Sequence, residues 1–332
     1  MTTTKKNIKV SVLMSVYNGA ALLSRSINSV LNQSFKEFEF IIVNDGSIDN
    51  SARILNEFKK IDNRIRVIHK KNTGLANSLN IGLKESNAEW VARIDADDIC
   101  ESDRLEKQYF FIKDNPSVIL LGSNAKFIDL HENLIGSLKY PKNHKEIIKK
   151  LSITPSTFPH SSVFYNKKIA LDIGGYREQI TYAEDLDLWL RLSNRGNLAC
   201  LRDSLVNIRI HPDQISHHDS GDTQYVDAYV AMVSYWYDKL FSESIFSLDF
   251  LSFDEVRSVI YTYLKNNNHL AYQRRLTKFK EEYKNNNFTS RIFLLMHFCI
   301  VDFKVLFWVL RRKYFYPNFA LKIAKIVHKK NI

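Results

Sequence analysis

Apolar and polar positions along the first hundred residues alternate between two periods. Residues 8–16, IKVSVLMSV, are apolar and β-branched and predict a buried strand. Tyr17-Asn18-Gly19 breaks it, and Leu22, Leu23, Ile27, Val30 and Leu31 then recur at helical spacing. Residues 38–43, FEFIIV, predict a second strand, ended by Asn44-Asp45-Gly46-Ser47. A helix over 47–58 follows, with Ile54, Leu55 and Phe58 on one face. A short strand from Arg66 to His69, a helix over 75–84 and a strand over 90–94 complete the series. The last strand runs into Asp95-Ala96-Asp97-Asp98. Strand alternating with helix predicts an α/β fold, a Rossmann-type, mostly parallel sheet flanked by helices. Such sheets bind ligands beyond the carboxyl ends of their strands. The three polar clusters at 17–18, 44–47 and 95–98 should therefore meet on one rim.

Composition places the bulk of the chain among ordinary globular proteins: 332 residues, 45% hydrophobic and 25% charged. Cys100, Cys200 and Cys299 lie far apart, with no CxxC pair, which argues for a reducing compartment and against a structural zinc site. The N-terminal apolar run is too soon broken for a signal peptide, so a cytoplasmic start is expected. The net charge is +11, and its distribution matters more than its size. Residues 236–332 hold 17 Lys/Arg against 8 Asp/Glu, whereas the first 235 hold 30 against 28. A nucleic-acid reader would carry its charge on the reading domain; no nucleic-acid partner is expected. A dinucleotide oxidoreductase is disfavoured because no GxGxxG follows the first strand.

Three carboxylates in four residues, Asp95, Asp97 and Asp98, repel one another, and a divalent cation would relieve that repulsion. Hard oxygen donors suit Mg²⁺ or Mn²⁺ bridging to a diphosphate. The alternative is a solvated turn capping a helix over 101–111. In Asn44-Asp45-Gly46-Ser47, a strand-to-helix turn explains Gly46 and a capping Ser47. It leaves Asp45 on the rim, where its carboxylate could accept from a base N–H. Small residues along 72–82 would let a helix approach the sheet closely, and plain packing explains Ala76 and Gly82.

The ordered segments SVLMSVYNG, IIVNDGSIDNS, NTGLANSLNIGL, ARIDADD, HSSVFYNKK, GGYRE, YAEDLDLWLRL and RIHPDQIS resemble glycosyltransferase family 2, over roughly residues 8–216. Ser15 departs from the proline common there, and nothing after about residue 220 is matched. The resemblance implies a GT-A fold and an inverting transfer from a nucleotide-sugar donor, a UDP-sugar, to a saccharide or lipid-linked acceptor. It implies that Tyr17 and Asp45 hold the base, assisted by Asn72 or Lys71, that Asp95 contacts the ribose and that Asp97 ligates the metal. Asp98 would stand behind Asp97 or share the metal. Asp185 would be the general base and Glu184 would orient the acceptor, with Trp189 beside them. A helix N-terminus rich in acids accounts for Asp187 without any such role. His211 would ligate the metal or touch the diphosphate, or be structural; His160 would line the acceptor pocket. The rival reading is a catalytically inactive nucleotide-sugar or membrane-surface binding protein of the same fold.

A catalytic domain over 1–220 is expected, its nucleotide-sugar half about 1–100 and its acceptor half about 101–220, with a helical extension over 221–332. Residues 291–332 hold 9 Lys/Arg and a single acid, Asp302. Within them a 19-residue apolar run, 292–310, is long enough to span a bilayer. Yet His297, Asp302 and Lys304 lie inside it, and an acid or lysine at a helix centre costs about 2.5–3.5 kcal/mol. An interfacial helix on an anionic membrane keeps these groups near water, which would place the enzyme peripherally at the inner face of the cell membrane. Packing on the catalytic domain, or on a second copy in a homodimer, is the alternative.

Overall fold

The computed structural model describes residues 8–152, 154, 158–212, 214, 222–241 and 253–266. The segment 291–332, which includes Cys299, lies outside the described residues. The chain divides into two compact units, Met1–Leu151 with Ser156–Pro212, and Ser152–Pro155 with Asp213–Ile332.

The first unit is built on one nine-stranded sheet, in the order Ile65–Lys70 (β3), Phe38–Asp45 (β2), Val10–Val16 (β1), Trp90–Arg93 (β4), Phe164–Asn166 (β8), Val118–Ile128 (β6), Asn197–Arg209 (β9) and Ile99–Cys100 (β5), with Leu134–Leu138 (β7) beside β6. Its parallel run contains β1 (Val10–Val16), β2 (Phe38–Asp45), β3 (Ile65–Lys70) and β4 (Trp90–Arg93). Residues at Val10, Val12, Met14 and Val16 face one layer, with Leu23, Ile27 and Val30 of α1 (Ala20–Leu31) and Leu55 of α2 (Ser51–Ile61). Alternation sends Leu13 to the other face, against α3 (Leu75–Glu85). There a Cβ on Gly82 would come within 2.1 Å of Leu13 Cδ1, so only glycine lets the helix lie this close. The packing explanation of Gly82 is the one the structure supports.

Past residue 100 the sheet is mixed. β4 pairs antiparallel with β8 (Phe164–Asn166), and β8 with β6 (Val118–Ile128). β6 is parallel to β9 (Asn197–Arg209) and forms a hairpin with β7 (Leu134–Leu138). The short β5 (Ile99–Cys100) pairs antiparallel with β9. α4 (Arg104–Asp114) covers the same face as α1, through Leu105 and Ile112. α5 (His144–Leu151), α6 (Lys167–Asp172) and α7 (Glu184–Leu192) complete the unit. In the second unit, two helices span Asp222–Phe241 and Phe253–Asn266, within the stretch expected to be helical. Among the described residues no helix is long and apolar enough to cross a membrane.

Two helix starts differ from expectation. α2 begins at Ser51, not Ser47, because the intervening loop is bonded sideways to the loop after β1. The N–H of Asn18 donates to Ser47 Oγ (3.0 Å), that of Ile48 to Asn18 Oδ1 (2.9 Å) and that of Ala20 to Asp49 Oδ2 (3.0 Å). Ser47 therefore accepts from another loop instead of capping its own helix. α4 begins at Arg104, with Asp103 at its N-cap position. The acids at 95–98 are separated from it by β5, so helix capping does not explain them.

Candidate active site

The acidic turn leaves β4 at its carboxyl end. Each of its carboxylates meets different partners. Asp95 receives Nη1 of Arg93, and its own N–H donates to Ser161 Oγ at 3.0 Å. Asp98 is buried, at 3% exposure; its Oδ1 accepts the Arg209 N–H at 2.9 Å and its Oδ2 meets the Ser161 hydroxyl. Burial, then the charges of Asp97 and Asp95, hold its carboxyl well above the usual range. Asp97 faces His211, whose Nε2 lies 3.0 Å from Oδ2. Burial and then Asp95 push its carboxyl up as well. Ligand atoms of the three acids lie within 4.8 Å of one another. A hard divalent cation fits this set: oxygen donors in mutual repulsion, with an imidazole nitrogen alongside. Asp97 is the acid whose carboxylate is not committed to Ser161, Arg93 or Arg209. Asp98 stands behind it.

The loops after β1, β2 and β3 form the neighbouring part of the rim. Tyr17 is 53% exposed there. Gly46, at φ +72°, lets the β2 loop approach the backbone of Asn72, where a Cβ would come within 2.6 Å of the amide nitrogen. Asp45 is only 3% exposed, because its carboxylate closes the β3 loop. Oδ1 accepts the Thr73 N–H and Oδ2 the Gly74 N–H, each at 2.9 Å, and Lys70 Nζ meets Oδ1. Lys70 also donates to Thr73 Oγ1 at 2.5 Å and Ser78 Oγ at 3.1 Å. The cation at Asp45 is thus Lys70; Lys71 and Asn72 are exposed. In-strand alternation explains the exchange, since Asp45 pairs with Lys70 across β2 and β3.

Glu184 and Asp185 open α7. Ala183 is at the N-cap position and makes no side-chain cap, and Asp187 is the structural acid, bound by Arg177 and Arg191 at 2.8 Å each. Glu184 is buried and Asp185 half-buried. Burial, with Asp185 alongside, pushes Glu184 up to about 8. Burial pushes Asp185 up to about 6; Arg93 opposes that rise and Asp95 adds to it. The acid pair and the acidic turn therefore share one electrostatic environment. Behind Glu184, His160 Nδ1 lies 3.7 Å from Oε1 and Nε2 lies 3.1 Å from the Tyr176 hydroxyl. Burial, then Arg93, holds His160 well below its ordinary value, so the ring is neutral. Trp189 is wholly buried against His160, Tyr165 and Tyr176, and so supports the pocket from behind instead of lining it.

Residues 11–174 match the sequence model of Glycosyl transferase family 2. WbnJ, an O-antigen biosynthesis glycosyltransferase of Escherichia coli, is 32% identical over 206 residues, spanning 61% of this chain and 80% of WbnJ. The chain belongs to glycosyltransferase family 2. Its fold is shared with S. aureus TarS in complex with UDP-GlcNAc, at a TM-score of 0.59 and 18% identity over 76% of this chain and 79% of that one. It is also shared with the mannosyltransferase PcManGT from Pyrobaculum calidifontis in complex with GDP-Man and Mn2+, at a TM-score of 0.53 and 14% identity over 97% and 87%. This family 2 glycosyltransferase has the GT-A architecture of both.

Four residues of the site were not singled out from sequence: Lys70, Arg93, Ser161 and Arg209. Arg93 carries a visible signal, a charged residue ending the otherwise apolar β4, whereas Arg209 ends a strand that already holds Arg202, Asp203 and Asn207. Ser161 and Lys70 carry none that distinguishes them from their neighbours.

Proposed function

We propose that this glycosyltransferase moves a sugar from a UDP-sugar onto a saccharide or lipid-linked acceptor, with inversion, in surface polysaccharide or glycolipid synthesis. The observation that carries the reading is a pair of carboxylate groups, the turn bearing Asp97, beside His211, and the pair Glu184–Asp185, both raised in pKa and both under the influence of the Asp95 charge.

Tyr17 and Asp45 hold the base, with Lys70 fixing Asp45 and the 71–74 loop; Asn72 lies at the edge of that subsite. Asp95 meets the ribose. Asp97 and His211 would hold a Mg²⁺ or Mn²⁺ ion, whose positive charge would stabilise a departing diphosphate. Asp185 takes the proton of the acceptor hydroxyl as that oxygen attacks the anomeric carbon. Glu184, still protonated below pH 8, orients the acceptor, with His160 behind it. One displacement from the opposite face inverts the configuration. TarS with UDP-GlcNAc and PcManGT with GDP-Man and Mn2+ support a nucleotide-sugar and a cation. The basic segment 291–332 supports peripheral placement at the inner face of the cell membrane, where a lipid-linked acceptor would be met.

The test is release of nucleoside diphosphate from a panel of UDP-glucose, UDP-galactose, UDP-N-acetylglucosamine and GDP-mannose, with Mn²⁺ or Mg²⁺ present. Turnover of a UDP-sugar is expected, abolished by chelator and by Asp97→Ala. Turnover confined to GDP-mannose would move the nucleotide assignment, and full turnover in excess chelator would remove the metal.

A further inference from the structure

Gly82 sets how closely α3 approaches the sheet. The two asparagines of that helix meet a different neighbour. Asn77 and Asn80 stand three residues apart and so share one face of α3, and that face carries the loop at 174–178 from the acceptor half. Asn80 grips the loop by its backbone: Oδ1 accepts the Tyr176 N–H and Nδ2 donates to the Tyr176 carbonyl, each at 2.8 Å. The loop lies so close that a Cβ on Gly175, at φ +67°, would come within 2.5 Å of Asn80 Oδ1. From Tyr176 the contacts run on to the acid pair. Its hydroxyl lies 3.1 Å from His160 Nε2, and His160 Nδ1 lies 3.7 Å from Glu184 Oε1.

Asn77 touches both loops. Its Oδ1 accepts the Thr73 hydroxyl at 2.6 Å, and its Nδ2 donates to Glu178 Oε1 at 3.1 Å. Thr73 is the residue that Asp45 and Lys70 hold: its N–H donates to Asp45 Oδ1 at 2.9 Å and its Oγ1 accepts from Lys70 at 2.5 Å. A carboxylate only accepts, so Glu178 sets which way the Asn77 amide is turned, and the oxygen left toward Thr73 takes the hydroxyl proton. The bonds from Lys70 through Thr73 and Asn77 to Glu178 therefore all donate in one direction, the sense in which successive bonds strengthen one another.

Thr73 and Glu178 are exposed. Bonds that water can replace contribute little to stability, so the run is weak as a structural tie. It is well placed as a link, because the Thr73 hydroxyl is aimed at Asn77 only while the 71–74 loop is held. We propose that Asn77 and Asn80 are positioning residues that join the two halves of the transfer: nucleotide bound against the 71–74 loop fixes Thr73, and through Asn77 and Glu178 holds the loop that carries Tyr176 to His160 and Glu184. Donor binding thereby orders the acceptor side before the acceptor arrives. This rests on the 71–74 loop bordering the base subsite.

The test is hydrogen–deuterium exchange of segments 71–80 and 174–182, with and without saturating UDP and Mn²⁺. In wild type UDP should slow exchange in both, by about fivefold or more in 174–182, where the Tyr176 N–H reports on Asn80 directly. Asn77→Ala and Glu178→Ala cut the link from its two sides. In each, UDP should still slow 71–80, while its effect on 174–182 falls below about twofold. Glu178→Gln keeps the accepting oxygen and should respond as wild type does. Asn80→Ala should speed exchange of 174–182 with or without UDP; if it does not fold, the exposed Glu178 keeps the test intact. Slowing of 71–80 alone in wild type would overturn the coupling. So would slowing of 174–182 that survives both Asn77→Ala and Glu178→Ala, and the asparagines would then be packing residues. Slowing of neither segment would remove the base subsite itself, and the coupling with it.

Discussion

Asp97 and Asp185 are both acids at the ends of regular elements, and their surroundings set them to different tasks. Asp97 stands among like charges with an imidazole beside it, the setting of a cation ligand. Asp185 stands beside the more deeply buried Glu184, whose carboxyl is pushed higher, so as the pH rises Asp185 is the first of the pair to lose its proton. A base must be ionised to act. Its raised pKa means that activity is half-maximal near pH 6, approaches its full value about one unit higher and is lost as the pH falls further. Asp185→Asn should bind UDP with Mn²⁺ as wild type does and transfer about 10²- to 10⁴-fold more slowly. A calorimetric titration beside a rate measurement checks both halves; a rate within a few-fold of wild type would make another group the base. At this scale the sequence was most legible where acids cluster after an apolar strand or before an aromatic helix. It was least legible where a contact depends on register. Asp45 meets Lys70 and not Lys71 because their strands pair side by side, and a register one residue different would have reversed the choice.

Elements carry these residues to the rim with tolerances that can be tested. Gly82 lies where α3 presses on Leu13, in a gap with no room for a methyl group. Gly82→Ala must push the helix off the sheet or turn Leu13 from its rotamer, and overpacking of this kind costs about 1–3 kcal/mol. For a unit of this size that lowers the melting temperature by roughly 2–4 °C per kcal/mol. A thermal melt reads it, and an unchanged midpoint would mean the gap is wider than the structure has it. The first four strands and three helices were legible because each is apolar on a regular period and ends at a polar cluster. The sheet beyond residue 100 was not. Its strands pair antiparallel or across long separations, as β4 does with β8, and period alone does not say which neighbour a strand will take. The start of α2 was misplaced for a related reason. The residues 47–50 have helix-starting chemistry, and the loop after β1, nearly thirty residues away, claims their polar groups first.

At the scale of the whole molecule, charge and chemistry are separated along the chain. The residues that form the site belong to a part of the sequence that is nearly neutral, while residues 291–332 carry 9 Lys/Arg and one acid around a long apolar run. Each Lys or Arg close to an anionic membrane contributes about 1 kcal/mol, reduced by salt, and buried apolar side chains add a term that salt does not weaken. Full-length protein should therefore sediment with vesicles containing phosphatidylserine, less so at high ionic strength but not zero. Replacing Lys322, Lys325, Lys329 and Lys330 together by Gln removes four charges and leaves the apolar run intact. Affinity for those vesicles should fall by about 10- to 100-fold at low salt, below the full sum of the four contributions because the charges screen one another. The salt dependence should flatten at the same time, and UDP release from a soluble donor should be unchanged, since none of the four lies near the site in sequence. If the substituted protein sediments as well as wild type at every salt concentration, the basic residues are not what attaches it. If UDP release falls with vesicle binding in a vesicle-free assay, the segment serves the catalytic part directly, and packing on the protein becomes the better account of its apolar run.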